Sequence, residues 1–197
     1  MIRAFIAVDI PDDIRAAVAD AQARLKRAHL WVKVSWTKPE NWHLTLQFLG
    51  YVDEPVIEKI SLALEEVARQ RDQFDLSVRG AGVFPNDKRP RVLWVGCEDP
   101  QGKLKGLAGA VQGAMKQFRF EPEHREFSAH LTLGRVKPAP MKSGFPQPDV
   151  ALTRVLDSVR DEAFGTMRVV AVHLFESQLH PQGSVYRKLS SHALRAA

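Results

Sequence analysis

The chain has 197 residues, 45% of them hydrophobic and 26% charged, which fits one generous domain or two small lobes and excludes two large domains or wholesale disorder. Lys and Arg outnumber Asp and Glu by 28 to 23, and the net charge of +5 favours an anionic partner. The excess is scattered rather than gathered into a block, which excludes a nucleic-acid-binding tail.

Residues 2–8, IRAFIAV, are apolar and bounded by DIPDD, so they predict a buried strand handing the chain to a helix. The stretch is too short for a signal peptide, and no run reaches the ~20 apolar residues of a membrane span. Cytoplasmic residence without a membrane partner is the expectation, and the single Cys97, inside the apolar VLWVGC, is read as a packed thiol. Ile14, Val18, Ala21, Leu25 and Ala28 then form the stripe of a first helix. After VKVSW and the turn-prone KPEN comes HLTLQFLG, residues 43–50. If extended, it sends Leu44, Leu46 and Phe48 to one side and His43, Thr45 and Gln47 to the other.

Gly50 and VDEP close that strand and open a second helix on Ile57, Ile60, Leu64 and Val67. FDLSVRGAGVF and RVLWVGC predict two strands joined by PNDKRP, and Leu104, Leu107, Val111, Met115 and Phe118 mark a third helix. The chain continues through FSAHLTLGRV, the Pro- and Gly-rich KPAPMKSGFPQP, a fourth helix on Val155, Leu156 and Val159, and the strands RVVAVHLFES and SVYRKLS.

The phrase His43-Leu44-Thr45-Leu46 returns letter for letter as His130-Leu131-Thr132-Leu133, and 130 − 43 is 87. Seven His and five Thr in this length give about 0.2 His-x-Thr triplets by chance, so coincidence explains two framed copies poorly. Each half reads as repeated phrase, helix, strand, strand. That order predicts an α+β fold of two pseudo-symmetric lobes, antiparallel sheet inside and helices outside, with a cleft between them. The whole chain, 1–197, is read as one such bilobal domain.

On a strand anchored by its leucines, the opposite face offers an imidazole and a hydroxyl two residues apart, spaced for a phosphate. Two such strands face to face supply what in-line phosphodiester chemistry needs. One imidazole is a base on the attacking oxygen and the other an acid on the leaving oxygen, while Thr45 and Thr132 donate to non-bridging oxygens. The repeated residues alone leave the acid and base roles open. No metal is required, and the sequence lacks a His-Glu-x-x-His, a Cys-x-x-Cys and a Gly-x-Ser-x-Gly.

At these residues, and along RAFIAVDIP, WTKPENWHLTLQFLG, GVFPNDKRPRVLWVG and LFESQLHPQGSVYRKL, the chain resembles the two-histidine phosphoesterases. Within them it is similar to the bacterial RNA 2′,3′-cyclic phosphodiesterases, also called LigT-like or 2′-5′ RNA ligase proteins. The resemblance implies a bilobal α+β fold and opening of a 2′,3′-cyclic phosphate at RNA or nucleotide ends to a 2′-phosphate. It further implies that no metal or organic cofactor takes part. By motif match, His43 is the acid for the 3′ oxygen, His130 the base for water, and Arg135 a phosphate contact. Strict alternation would turn Arg135 toward the side of Leu131 and Leu133, so its role requires a bulge or bend at Gly134, the alternative being a simple surface Arg.

Two other functions fit the same residues: 2′-5′ RNA joining or cleavage, which is the chemistry reversed, and a module that grips RNA ends without turnover. No obligate protein partner is expected, and the chain is read as a monomer. Phe5, Trp36 and Trp42 are stacking candidates for a base, with core packing the favoured reading. Lys88, Arg89 and Arg91 are candidates for the RNA backbone, with a solvated turn favoured. His29, His124, His173, His180 and His192 lack the paired context and receive no role.

Overall fold

The structure, a computed structural model, describes residues 1–28, 32–122, 127–137, 150–180 and 183–196. The loop KPAPMKSGFPQP, apart from Lys137, and both His29 and His124 lie outside the described residues.

Strand β1 (Ile2–Asp9) leads into helix α1 (Asp12–Arg27), β2 (Val34–Trp36) and β3 (His43–Val52). Helix α2 (Glu54–Arg69), β4 (Phe74–Phe84), β5 (Val92–Glu98), α3 (Lys103–Met115) and β6 (His130–Val136) follow. Helix α4 (Val150–Asp157), β7 (Ala163–Val169), β8 (Ala171–His180) and β9 (Gly183–Ala193) complete the chain. Helix α1 forms where charge suits the backbone dipole, with Asp12 and Asp13 in its first turn and Arg24, Lys26 and Arg27 in its last. Its stripe of Ile14, Val18, Ala21 and Leu25 is buried as the spacing predicts, and the helix ends one residue before Ala28.

The strands form two antiparallel sheets, β3-β1-β8-β9 and β2-β6-β5-β4-β7. This is the predicted α+β architecture of two sheets with helices outside, and each sheet holds one copy of the repeated phrase. The distribution of elements between lobes differs from a simple half-and-half reading. FDLSVRGAGVF and RVLWVGC, which follow the first phrase, become β4 and β5 in the sheet of the second. RVVAVHLFES is not one strand: it breaks at Val170, so that β7 stays in the second sheet and β8 crosses to the first. The run of apolar letters is continuous through the break, because residues on both sides enter one shared core, although burial shifts phase from Val169 to Val172 past the 48% exposed Val170.

Helices cross as well. Helix α1 leaves the first sheet to pack on β7 and α4, whereas α3 leaves the second to pack on β3 and α2. One continuous apolar core results, taking Ile6, Val8, Leu44 and Leu46 from the first sheet and Leu93, Val95, Leu131 and Leu133 from the second. Both phrases therefore anchor their leucines in the same core and turn their histidines the other way.

Candidate active site

Strands β3 and β6 pack against each other, and the charge of His130 is felt at His43. Leu44 and Leu131 are buried, while His43, Thr45, His130 and Thr132 are half-buried on the opposite faces. In each phrase the imidazole is fixed in the same way. His43 Nδ1–H donates to the carbonyl of Asn41, and His130 Nδ1–H to that of Ser128, both at 2.8 Å. A carbonyl only accepts, so the proton sits on Nδ1 and Nε2 is left as the nitrogen for proton exchange. The Asn41 amide donates in turn to the carbonyl of Ser184 at 2.7 Å, tying the turn before His43 to the start of β9.

Alternation then breaks at the same place in both copies. Ala7 stands opposite Thr45 and Ile6 opposite Gln47, leaving Leu46 as an extra residue; Trp94 stands opposite Thr132 and Leu93 opposite Gly134, leaving Leu133 extra. A bulge with one unpaired residue reverses the sidedness of everything beyond it. Gln47, expected beside His43, is consequently in the core at 0% exposure, and Phe48, expected in the core, is 52% exposed. The same reversal carries Arg135 to the exposed face shared by His130 and Thr132.

Each bulge is held by a glutamine from a crossing helix. Gln22 of α1, only 2% exposed, donates through Nε2 to the carbonyls of Leu133 at 3.0 Å and Thr37 at 2.8 Å. Gln112 of α3 donates to the carbonyl of Leu46 at 3.2 Å. These side chains give the bulged carbonyls a donor from the helix side, and the Leu133 carbonyl also accepts from the Thr37 amide at 2.9 Å. Neither glutamine stands out in the sequence: the available signal is a polar residue beside an apolar helical stripe, next to Ala21 and Val111.

The two histidines have unlike neighbours. Opposite His43 in β1 is Asp9, whose carboxylate accepts from Lys188 at 3.2 Å, from Arg15 at 3.3 Å and from the Ile10 amide at 3.0 Å. Burial pushes the Asp9 carboxyl up, but Lys188, the Ile10 amide and Arg15 outweigh it and hold it below its usual value. Opposite His130 is Gly96. The His43 ring lies 4.6 Å from Phe5 and 5.3 Å from Tyr186, in a small apolar cluster with Phe175. Burial in it pushes His43 down to about 4, more than the Asn41 carbonyl and Asp9 raise it, and His130 lowers it a little further. The His130 ring meets the edge of Phe84 at 5.2 Å.

Phe5 and Trp42, at 2% and 1% exposure, are packed as favoured, and Trp36 is half-buried beneath the Lys26 ammonium. Lys88, Arg89 and Arg91 are exposed, in a turn where Asn86 Oδ1 accepts from the Lys88 and Arg89 amides. Cys97 fits the packed-thiol reading, since burial raises its thiol to about 12. His173, given no role, lies 5.8 Å from Phe175, is pushed down to about 4 by burial and then by Lys188, and has a buried Nδ1 without a hydrogen-bond partner. Among the described residues no three His, Cys, Asp or Glu side chains gather as metal ligands do, and no helix is long and apolar enough to cross a membrane.

Comparison with known proteins matches this duplicated geometry. The profile of the family described as LigT like Phosphoesterase matches twice, over residues 8–94 and 95–186. The matches start 95 − 8, or 87, positions apart, the interval that separates His43 from His130. A Methanothermobacter thermautotrophicus protein named RNA 2′,3′-cyclic phosphodiesterase is 36% identical over 185 residues, covering 94% of this chain and 95% of the relative. An Archaeoglobus fulgidus protein of the same name is 37% identical over 188 residues, covering 95% and 98%. Among solved structures, a Thermus thermophilus protein superposes with a TM-score of 0.77 at 28% identity, over 98% of both chains. E. coli LigT complexed with phosphate superposes with a TM-score of 0.67 at 26% identity, over 98% of this chain and 97% of the other. With both halves matched by one profile and near-complete alignment to these relatives, the chain belongs to the LigT-like phosphoesterase family.

Proposed function

We propose that this protein hydrolyses 2′,3′-cyclic phosphates at RNA or nucleotide ends to 2′-phosphates, with His43 and His130 as the proton-transfer pair. The observation that carries the reading is the matched mounting of the two phrases. Each imidazole is tied through Nδ1 to a carbonyl at 2.8 Å, and each strand is bulged at the same leucine. The relatives named RNA 2′,3′-cyclic phosphodiesterase supply the substrate class.

Water attacks phosphorus as His130 Nε2 takes its proton; the bond from phosphorus to O3′ breaks as His43 Nε2 delivers a proton to that oxygen. Thr45 and Thr132 donate to the non-bridging oxygens, and the Arg135 guanidinium opposes their growing charge. The scheme uses no metal or organic cofactor. With its affinity for protons lowered to about 4, His43 is neutral in the free protein near pH 7. An anionic phosphodiester beside it favours the imidazolium, so the acid role requires that proton to arrive with the substrate. The same reading makes residues 1–197 one bilobal domain, monomeric and cytoplasmic, and gives it no obligate protein partner.

The test is hydrolysis of a nucleoside 2′,3′-cyclic phosphate in the presence of chelator. Wild-type turnover with loss in both His43→Ala and His130→Ala is expected; unchanged rates in both variants would end the assignment.

A further inference from the structure

The sheet that carries His130 has a second aromatic surface, made by Trp94 and Phe84. Neither residue belongs to either apolar core. Trp94 stands opposite Thr132 in the ladder, so both side chains project from one face of the sheet as nearest neighbours. Its six-membered ring spans two glycines. A Cβ on Gly82, its partner in β4, would come 2.5 Å from Trp94 Cζ2, and one on Gly96 would come 3.2 Å from Cζ3. Any side chain at Gly82 would lift the indole off the strands. The Phe84 ring lies 5.1 Å from it between centroids, tilted by 30°, and also meets the ring of His130 edge-on.

Glycine inside a strand weakens it and marks a place where something must approach the backbone closely. Here the thing that approaches is the indole itself. Its Nε1 is shielded and unpartnered, so the half-buried ring offers a ligand a π face rather than a donor. In the first sheet Ala7 occupies the position opposite Thr45, and the rings nearest His43 are the buried Phe5 and Phe175 and the half-buried, edge-on Tyr186.

We infer that Trp94 is the stacking platform for the nucleobase attached to the cyclic phosphate, with Gly82 and Phe84 setting its tilt. This rests on the phosphodiesterase reading, which places the phosphate between His130 and Thr132 on one side and their counterparts on the other. A base joined to that ribose lies one strand spacing away, over β5. A π face accepts purines and pyrimidines alike, so the platform gives affinity for a base without strong choice among bases.

The test compares adenosine 2′,3′-cyclic phosphate with the base-free methyl riboside 2′,3′-cyclic phosphate, in wild type, Trp94→Ala, Trp94→Phe and Phe48→Ala. Wild type should bind the nucleotide with the lower KM. Trp94→Ala should raise that KM by about 5- to 140-fold, the range equivalent to base stacking, while the base-free substrate changes by less than about twofold. Trp94→Phe should keep part of the preference. It also provides a check independent of turnover: adenosine 2′-phosphate should quench tryptophan emission in wild type and much less in this variant. Equal losses on both substrates in Trp94→Ala, no base preference in wild type, or transfer of the preference loss to Phe48→Ala would each overturn the platform while leaving the phosphodiesterase reading intact. Failure of wild type to turn over either substrate would overturn both.

Discussion

Replacing Gln22 with Met keeps the length and most of the volume of a side chain far from the chemistry, yet it should impair both stability and turnover. Gln22 Nε2 serves the carbonyls of Thr37 and Leu133, and Leu133 is the bulged residue that turns Arg135 onto the face of His130. Two hydrogen bonds, one buried and one partly buried, at about 0.5–1.5 kcal/mol each give an expected loss of roughly 1–3 kcal/mol. Full collapse of the bulge is not expected, because the Thr37 amide also donates to the Leu133 carbonyl at 2.9 Å. For a chain of this size the loss corresponds to a fall in melting temperature of about 2–12 °C, measurable by calorimetry. Loosening of the strand between Thr132 and Arg135 should also lower kcat/KM, by up to ~10²-fold for a displacement of about 1 Å. The comparison is Gln112→Met, which removes a single longer bond at 3.2 Å and should cost less on both counts. A Gln22→Met protein with unchanged melting and unchanged kcat/KM would refute the claim that this amide holds the bulge.

Single substitutions His43→Ala and His130→Ala should each lower kcat by ~10² to 10⁴ in the cyclic phosphate assay, with circular dichroism showing retained fold. Arg135→Ala should raise KM more than it lowers kcat if the guanidinium holds phosphate in the ground state, and steady-state kinetics separates the two. His43 and His173 both have an ordinary value of 6.5 lowered to about 4, chiefly by burial, so between these values the unfolded chain binds more protons than the folded one. Stability from them is therefore complete above pH 6.5 and falls as pH drops toward 4, which denaturant titrations at stepped pH will read. Inorganic phosphate should raise the His43 midpoint, followed by the imidazole C2 proton in NMR, because an adjacent anion favours the charged ring.

Much of this molecule was legible before any coordinates. The stripes of α1 and α2, the strands around each phrase and the inward leucines follow from periodicity that burial enforces. What stayed hidden depends on partners distant in sequence. Gln47 reads as a polar face residue and Phe48 as a core residue, and both are reversed, because a bulge is a property of two strands in register and HLTLQF shows only one of them. For Arg135 the conflict between alternation and function did point to a bulge, and one is present, although the extra residue is Leu133 rather than Gly134. The crossing at Val170 left no trace in the sequence for a related reason. Both sheets draw on one core and the apolar letters run unbroken through residues 169–172, so only the shift of burial from Val169 to Val172, past the exposed Val170, records the change of sheet.

Duplication poses a chemical problem that the neighbours of the phrases resolve. In-line displacement needs an acid on one side of phosphorus and a base on the other, and two identical phrases at identical bulges would supply two equivalent groups. The inner strands differentiate them. At the position facing each histidine, β1 carries Asp9 and β5 carries Gly96; facing each threonine they carry Ala7 and Trp94. Beyond each bulge the exposed residue is Phe48 in one sheet and Arg135 in the other. One imidazole is thus enclosed by aromatic rings beside a carboxylate that is already neutralised by Lys188 and Arg15. The other faces Gly96 and the ring of Phe84, with a guanidinium two strand positions past its threonine. Under the proposed assignment, unlike roles for the two imidazoles need no change in either phrase, only different residues on the strands that each phrase pairs with.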